Sequence, residues 1–487
     1  MKILFVTPEC APLVKTGGLG DVSAALPAAL ASLGCDVMTL MPAYAGMQVH
    51  GVLERTVDVP PQGPWPAAQL LQVRRSGGVL LLLSCPALYS RATTPYAHPA
   101  GASPHVQAQQ FGLLAHAAAL LGSAASPLGW QADIVHANDW PGGLAPLYLH
   151  QRREADASCA RSVITIHNLA FQGVFPMDVA DAVDVLPPHR SMHGAEFWGR
   201  ISMLKAGLQY ADAITTVSPT YAREILEPAH GCGLEGVLHE RRGQLLGILN
   251  GIDTQVWNPS TDPFIVAHYS ADHLTPKALN KAALRERCGL QSAPGPLLGL
   301  VGRLTEQKGV DLVLAGAEGC LSRGAQLVVL GQGDAALEQA LAALAAAHPG
   351  QVHCTAGFDE GLAHQIEAGA DCFLMPSRFE PCGLNQMYSQ TYGTPPVVTR
   401  TGGLADTVQD VNARLTVGTG FVMPQATQQD FDAAMDRVLT AWRKPLQWAA
   451  LQKRCMVQDF GWMHAAQPYV RLYADVLAGQ CRAPVRG

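Results

Sequence analysis

Apolar positions in this chain follow two patterns. Short runs rich in Val, Ile and Leu, at residues 2–7, 36–41, 79–84, 133–136, 162–166 and 212–217, alternate with longer segments of helical periodicity. Such runs predict buried parallel strands. After about residue 245 the alternation restarts, with LLGLVG at 297–302, QLVVLG at 326–331, DCFLMP at 371–376, PVVT at 396–399 and GFVM at 420–423. Two doubly wound α/β domains are the economical reading. Between them, LLGILNGIDTQVWNPSTDP carries the Asn250-Gly251 turn and then Pro259 and Pro263. These break any regular element and predict the interdomain connection near 245–260. In open α/β sheets ligands bind beyond the carboxyl ends of the strands, so the loops there are the expected seat of the chemistry, facing a cleft between the domains.

A length of 487 residues supports two or three domains, and 48% hydrophobic with 15% charged residues excludes extended disorder. The net charge is -6, and the 33 basic residues, 25 Arg and 8 Lys, are dispersed, which argues against a nucleic-acid partner. Twelve Cys are scattered singly between Cys10 and Cys481 without a C-x-x-C pair, which predicts reduced thiols in a cytoplasmic protein. Apolar stretches fall short of the roughly 20 residues a membrane span needs. KILFVT at 2–7 reads as a strand directly after the initiator Met, so no leader is expected.

The first strand leads into Lys15-Thr16-Gly17-Gly18-Leu19-Gly20-Asp21 and a helix through about Ser32. Free backbone N–H groups and a cation at a helix N-terminus predict an anion site, suited to phosphate. The same hexapeptide pattern recurs at Thr401-Gly402-Gly403-Leu404-Ala405-Asp406, matching in five of six positions. Ordinary tight turns explain either copy, but their likeness favours a functional loop in each. On the loop Gly302-Arg303-Leu304-Thr305-Glu306-Gln307-Lys308, two cations stand five residues apart, able to neutralise a departing nucleoside diphosphate. A surface pair capping a helix is an equal alternative for that spacing alone. Pro376-Ser377-Arg378-Phe379-Glu380-Pro381-Cys382-Gly383 precedes a helix-like stretch, predicting a second phosphate cradle, with Glu380 placed to bind hydroxyls of an attached sugar.

His136-Ala137-Asn138-Asp139-Trp140 and Thr165-Ile166-His167-Asn168-Leu169 close two strands of the first domain with polar groups, either His being functional or structural. Gly331-Gln332-Gly333-Asp334-Ala335-Ala336 matches G-x-G-x-x-A and keeps a NAD-dependent oxidoreductase as a rival. Asp430-Phe431-Asp432 is read as serving a helix N-terminus, and His189 and His193 lack the Glu of H-E-x-x-H, so no catalytic metal is expected.

These motifs together resemble bacterial glycogen synthases and the related starch synthases. KTGGLGDV at 15–22, HANDW at 136–140, TIHNLAFQG at 165–173, ADAITTVSPTYAREI at 211–225, NGID at 250–253, GRLTEQKG at 302–309, SRFEPCGLNQ at 377–386 and TGGLADTV at 401–408 run in family order, ending with DFGWMHAAQPYVRLYADVL at 459–477. The resemblance implies a GT-B fold, two Rossmann-like domains facing a deep interdomain cleft. Residues 1–245 would form the acceptor-side domain and 246–458 the donor-nucleotide domain, with 459–487 crossing back to the first.

The resemblance further implies transfer of glucose from ADP-glucose to the non-reducing 4-hydroxyl of an α-1,4-glucan such as glycogen, with retention of configuration and without a metal or other cofactor. Lys15, Gly17 and Gly18 would lie near the donor diphosphate, Arg303 and Lys308 would hold its phosphates, and Cys382, Gly383, Leu384 and Asn385 would present a helix N-terminus to them. Glu380 would bind the donor glucose hydroxyls, and His167 and Asp139 would face the transferred glucose. Phe358 falls where the family often stacks a Tyr on adenine; stacking survives that change. Tyr96 is a candidate glucan-stacking aromatic, or a structural residue of its loop. Fixed cations act where leaving-group charge builds, and domain closure would exclude water. A retaining hydrolase would need two carboxylates about 5 to 5.5 Å apart. The motifs offer only Glu380 near the donor, so front-face displacement is preferred.

Two departures touch the first domain: Asn138 stands where relatives often have a second His, and Gln107-Ala108-Gln109-Gln110 replaces an acidic, Arg-containing pattern. They bear on glucan affinity rather than donor chemistry. A catalytically silent glucan-binding homologue is the third reading, opposed by retention of Lys15, Arg303, Lys308 and Glu380.

Overall fold

The structure, a computed structural model, describes residues 1–96, 103–154 and 158–480. The chain divides into two units, one of Met1–Gly251 with Trp462–Gly487 and one of Ile252–Gly461.

In the first unit the strands in chain order are β1 (Lys2–Val6), β2 (Asp36–Pro42), β3 (Val52–Val59), β4 (Ala68–Arg75), β5 (Gly78–Ser84), β6 (Ile134–Asn138), β7 (Arg161–Ile166), β8 (Val174–Pro176), β9 (Glu196–Phe197), β10 (Arg200–Ser202), β11 (Ala213–Thr216) and β12 (Leu245–Gly247). A nine-stranded sheet runs β12-β11-β7-β6-β1-β2-β5-β4-β3, and β8-β10-β9 form a small antiparallel sheet. The six apolar runs expected here are β1, β2, β5, β6, β7 and β11, all joined in parallel. At one edge the sheet gains two strands outside those runs, where β5-β4-β3 is antiparallel. Its outer strand VLERTVDV is almost wholly exposed, so it carries no apolar run. One-faced antiparallel strands alternate instead.

Helix Gly18–Ser32 lays Val22, Leu26 and Leu30 on Ile3 and Phe5 of β1. The C-terminal helix Gln467–Leu477 completes this same core with Tyr469, Leu472, Tyr473 and Val476. Gly251 allows the chain's two passages to meet, since a Cβ there would lie 2.9 Å from the backbone of Trp462.

The second unit holds β13 (Leu297–Leu304), β14 (Gln326–Gly333), β15 (Val352–Ala356), β16 (Cys372–Met375), β17 (Pro396–Thr399) and β18 (Phe421–Met423), in the order β15-β14-β13-β16-β17-β18. Every pairing is parallel. Alternate residues feed two separate cores: Leu327, Val329, Cys372 and Leu374 face one, while Val328, Leu330, Phe373 and Met375 face the other. Burial on both faces is why these strands read as continuous apolar runs. The edge strand β15, VHCTA, is only partly buried, and its polar composition kept it out of the expected set. Strand order reverses between β13 and β16 in this unit and between β1 and β6 in the first, and at such switch points loops leave in opposite directions and open a crevice.

Candidate active site

In the first unit the β1 loop holds an internal anion beside the Gly17-Gly18 turn. It is the buried carboxylate of Glu9: Oε2 accepts the Thr16 N–H at 2.5 Å and the Thr16 hydroxyl, and Oε1 accepts the Gly20 N–H at 3.1 Å. Lys15 pairs with Asp21 at 2.8 Å. Two of the N–H donors expected to be free at this end of helix Gly18–Ser32, those of Thr16 and Gly20, are thus taken by an internal carboxylate, which suits the positive end of the helix. Burial raises the Glu9 carboxyl above its usual range, while the hydrogen bonds from Thr16 and Gly20 pull it down. Sequence reasoning passed over Glu9; its signal was an acid three residues beyond a fully buried central strand.

At the end of β6, Asp139 has φ 50 and ψ -168, a backbone state almost confined to glycine. Its Oδ1 accepts the His167 N–H at 2.7 Å and the Asn168 N–H at 3.4 Å, linking the β6 and β7 loops. Burial lifts its carboxyl to about 7 against those hydrogen bonds. Asn138 donates through Nδ2 to the Val6 carbonyl at 2.9 Å, which leaves Oδ1 to meet His167 Nε2 at 2.9 Å. That contact puts the imidazole proton on Nε2, leaving Nδ1 as the acceptor. Burial holds His167 neutral, with a pKa of about 3. His136 is structural: its two nitrogens meet Tyr473 Oη at 2.7 Å and Thr165 Oγ1 at 2.6 Å.

In the second unit the switch point gathers most of the donor-side candidates. Lys308 Nζ lies 2.5 Å from Glu380 Oε2, which also accepts from Ser377 Oγ at 3.2 Å. Glu380 is only 6% exposed, so its carboxylate depends on this cation. Gly309, at φ 70, lets the β13 loop press onto the β16 loop, since a Cβ there would stand 2.2 Å from the Pro376 carbonyl oxygen. Arg378 locks the same two loops through a fork onto Asp311 at 2.8 and 2.7 Å. Exposed Arg303, the penultimate residue of β13, reaches Gln307 at 3.5 Å. Asn385 Nδ2 donates to the Val301 carbonyl at 2.7 Å, tying the start of helix Asn385–Thr391 to β13.

The second T-G-G-L copy braces this loop from behind. Cβ atoms at Gly402 and Gly403 would lie 1.9 Å from the Glu380 carbonyl oxygen and 2.1 Å from that of Cys382. Gly383 turns at φ 71. The dinucleotide-like glycines are accounted for by packing: Gly331 and Gly333 pair in register with Gly302 and Leu304, and a Cβ at either would strike the β13 backbone within 2.3 Å. Phe358 is 80% exposed on the loop after β15. Tyr96 leans on Trp140 at 6.2 Å. Asp430 sits in the first turn of helix Gln428–Trp442, with its N–H capped by Thr427. His189 meets Tyr210 Oη at 2.7 Å, and no group of three or more metal-ligating side chains gathers among the described residues.

Comparison with known proteins accords with this arrangement. The starch synthase catalytic domain family matches residues 2–240, and glycosyl transferases group 1 matches residues 290–453. The glycogen synthase of Paracidovorax citrulli is 60% identical over 494 residues, covering 100% of this chain and 96% of its own. That of Aromatoleum aromaticum is 51% identical, covering 98% and 97%. Among solved structures, the catalytic domain of starch synthase IV from Arabidopsis thaliana, bound to ADP and acarbose, superposes with a TM-score of 0.87 at 31% identity, covering 98% of this chain and 99% of its own. Identity of this degree along the whole length means that the chain belongs to the glycogen and starch synthase family of glycosyltransferases.

Proposed function

We propose that the protein transfers glucose from ADP-glucose to the non-reducing 4-hydroxyl of an α-1,4-glucan, with retention at the anomeric carbon. The observation that carries the reading is the pairing of half-buried Lys308 with buried Glu380 at the β13–β16 switch point, on the loops that also carry Arg303. Lys308 and Arg303 take the diphosphate, where negative charge grows as the C1–O bond breaks, so their attraction is strongest in the transition state. Glu380, held by Lys308 and Ser377, accepts hydroxyls of the donor glucose rather than attacking carbon. This favours front-face displacement. Backbone at Cys382, Gly383, Leu384 and Asn385 flanks the diphosphate, and Phe358 stacks on adenine. From the first unit, Lys15 with the Gly17-Gly18 turn serves the diphosphate, while Asp139 and neutral His167 hydrogen-bond the transferred glucose, and Tyr96 contacts the glucan.

In this reading the protein's own cations supply the charge that a metal would otherwise bring. The eleven described cysteines form no disulfide, and no helix among the described residues is long and apolar enough to cross a membrane, in keeping with a cytoplasmic reaction. The test is nucleoside diphosphate release from ADP-glucose and UDP-glucose, with and without glycogen, in a chelator. Glycogen-dependent release with ADP-glucose preferred is the expected result; no glycogen-dependent release from either donor overturns the assignment.

A further inference from the structure

Where β6 and β7 end, one side chain dictates the hydrogen-bonding polarity of another. Asn138, the last residue of β6, is 1% exposed and stands beside the end of β1, where Val6 pairs in register with Ala137. A peptide carbonyl can only accept, so the Asn138 amide turns Nδ2 toward the Val6 oxygen, at 2.9 Å. Its Oδ1 is thereby aimed at His167 Nε2, 2.9 Å away, and an amide oxygen there requires the ring proton on Nε2.

The backbone that carries the ring is held as well. Both sides of the peptide between Ile166 and His167 are tied: Thr216 Oγ1 donates to the Ile166 carbonyl at 2.7 Å, and the His167 N–H donates to Asp139 Oδ1 at 2.7 Å. Among the described residues Nδ1 has no hydrogen-bond partner and is not sealed in, and His167 is only half-buried. No carboxylate bonds the ring among the described residues, and burial keeps it neutral. These two strand ends therefore present a lone pair, fixed in place and open to a ligand.

Relatives often have a second His where Asn138 stands. A neutral imidazole and an amide each offer one donor and one acceptor, so the exchange keeps the polarity of the link. The amide differs in that it cannot trade the two by shifting a proton, and it holds His167 to one tautomer more firmly.

We propose that Asn138 is a positioning residue that keeps His167 a hydrogen-bond acceptor, and that the site thereby selects a glucosyl donor presenting a hydroxyl O–H to Nδ1. A sugar substituent that can only accept would set lone pair against lone pair there and bind poorly. The inference rests on the glucosyltransferase reading and adds to it the polarity of one sugar contact.

The test has two readouts. In the full chain carrying isotope-labelled histidine, nitrogen NMR separates protonated from bare ring nitrogens, and the His167 signals are identified by their loss in His167→Ala. They should show the proton on Nε2 and a bare Nδ1. The second readout is kcat/KM, with glycogen as acceptor, for ADP-glucose and its monofluoro analogues, in which fluorine replaces one hydroxyl beyond C2 at a time. One analogue should fall about tenfold further than the others in the parent. In Asn138→Leu, close to Asn in size, the single tautomer should be lost and that extra deficit should shrink below about threefold, while Asn138→His should restore both. A parent with the proton on Nδ1 overturns the proposal without any variant. So does an equal extra deficit in the parent and in Asn138→Leu, or an Asn138→His form no better than Asn138→Leu, since bulk rather than polarity would then be the link. A parent that turns over neither ADP-glucose nor UDP-glucose overturns the transfer reading and the hydroxyl contact together, whereas turnover with His167 protonated on Nδ1 overturns this proposal alone.

Discussion

The two copies of T-G-G-L-x-D show how one short pattern does different work in two sheets. In the first unit its backbone N–H groups clasp the Glu9 carboxylate, and Gly17 has open space around its Cβ position. In the second unit Gly402 and Gly403 are pressed against the carbonyls of Glu380 and Cys382, and the Glu380 carboxylate nearby is matched by a lysine side chain. One copy shapes its own loop around an internal anion, and the other is a buttress for a neighbouring loop. A motif thus specifies a backbone shape, and the group packed against that shape decides the role.

The largest effect expected from breaking this contrast is in Lys308→Ala. It removes the proposed phosphate cation and leaves Glu380 buried without its partner, so kcat/KM for ADP-glucose should fall about a thousandfold, read by nucleoside diphosphate release. Lys15→Ala, on an exposed pair, should cost far less than that by the same assay.

Next come the glycines. Gly402→Ala, forced against the Glu380 carbonyl at φ 41, should lose about 2–4 kcal/mol of stability, whereas Gly17→Ala, at φ -164 with nothing within 4 Å, should stay within about 0.5 kcal/mol. Equal melting shifts for the two would dissolve the distinction between clasp and buttress.

Asp139 sharpens the comparison through pH. Its folded carboxyl is raised to about 7 from an ordinary 3.8, so between those values the folded state holds a proton that the unfolded state has released. That contribution is complete below about 3.8, declines as pH rises and is gone above about 7. Asp139→Asn should therefore gain stability relative to the parent as pH climbs through this window and level off beyond it, as thermal melts at several pH values will record.

The smallest effect is set for Glu9→Gln. The amide keeps the size of the carboxylate but turns a donor toward the Thr16 or Gly20 N–H, so about 1–2 kcal/mol should be lost and the KM for ADP-glucose should rise severalfold through a loosened Lys15 loop. An unchanged KM with lowered stability would confine Glu9 to folding.

Much of the fold was legible because its two large sheets are built mainly from strands buried on two faces, whose apolar runs need no partner to be recognised. The site was legible as loops: Lys308 and Glu380 could be named from glycine and proline punctuation, but their 2.5 Å pairing across 72 residues could not. Phe358 rests on the resemblance, and Tyr96 on its Pro-flanked loop, where it leans on Trp140.

The sequence by itself determined which segments are strands of a doubly wound kind, where the chain must turn, and to which family it belongs, because periodicity, glycine placement and ordered motifs are local or linear properties. Only the tertiary structure decided that Glu9 takes the Thr16 and Gly20 N–H groups, that Asn138 orients His167, that the β3–β4 edge runs antiparallel, and that the second T-G-G-L copy braces Glu380. Each of those is a contact between residues brought together by packing, and hydrogen bonds, burial and steric exclusion act across space rather than along the chain.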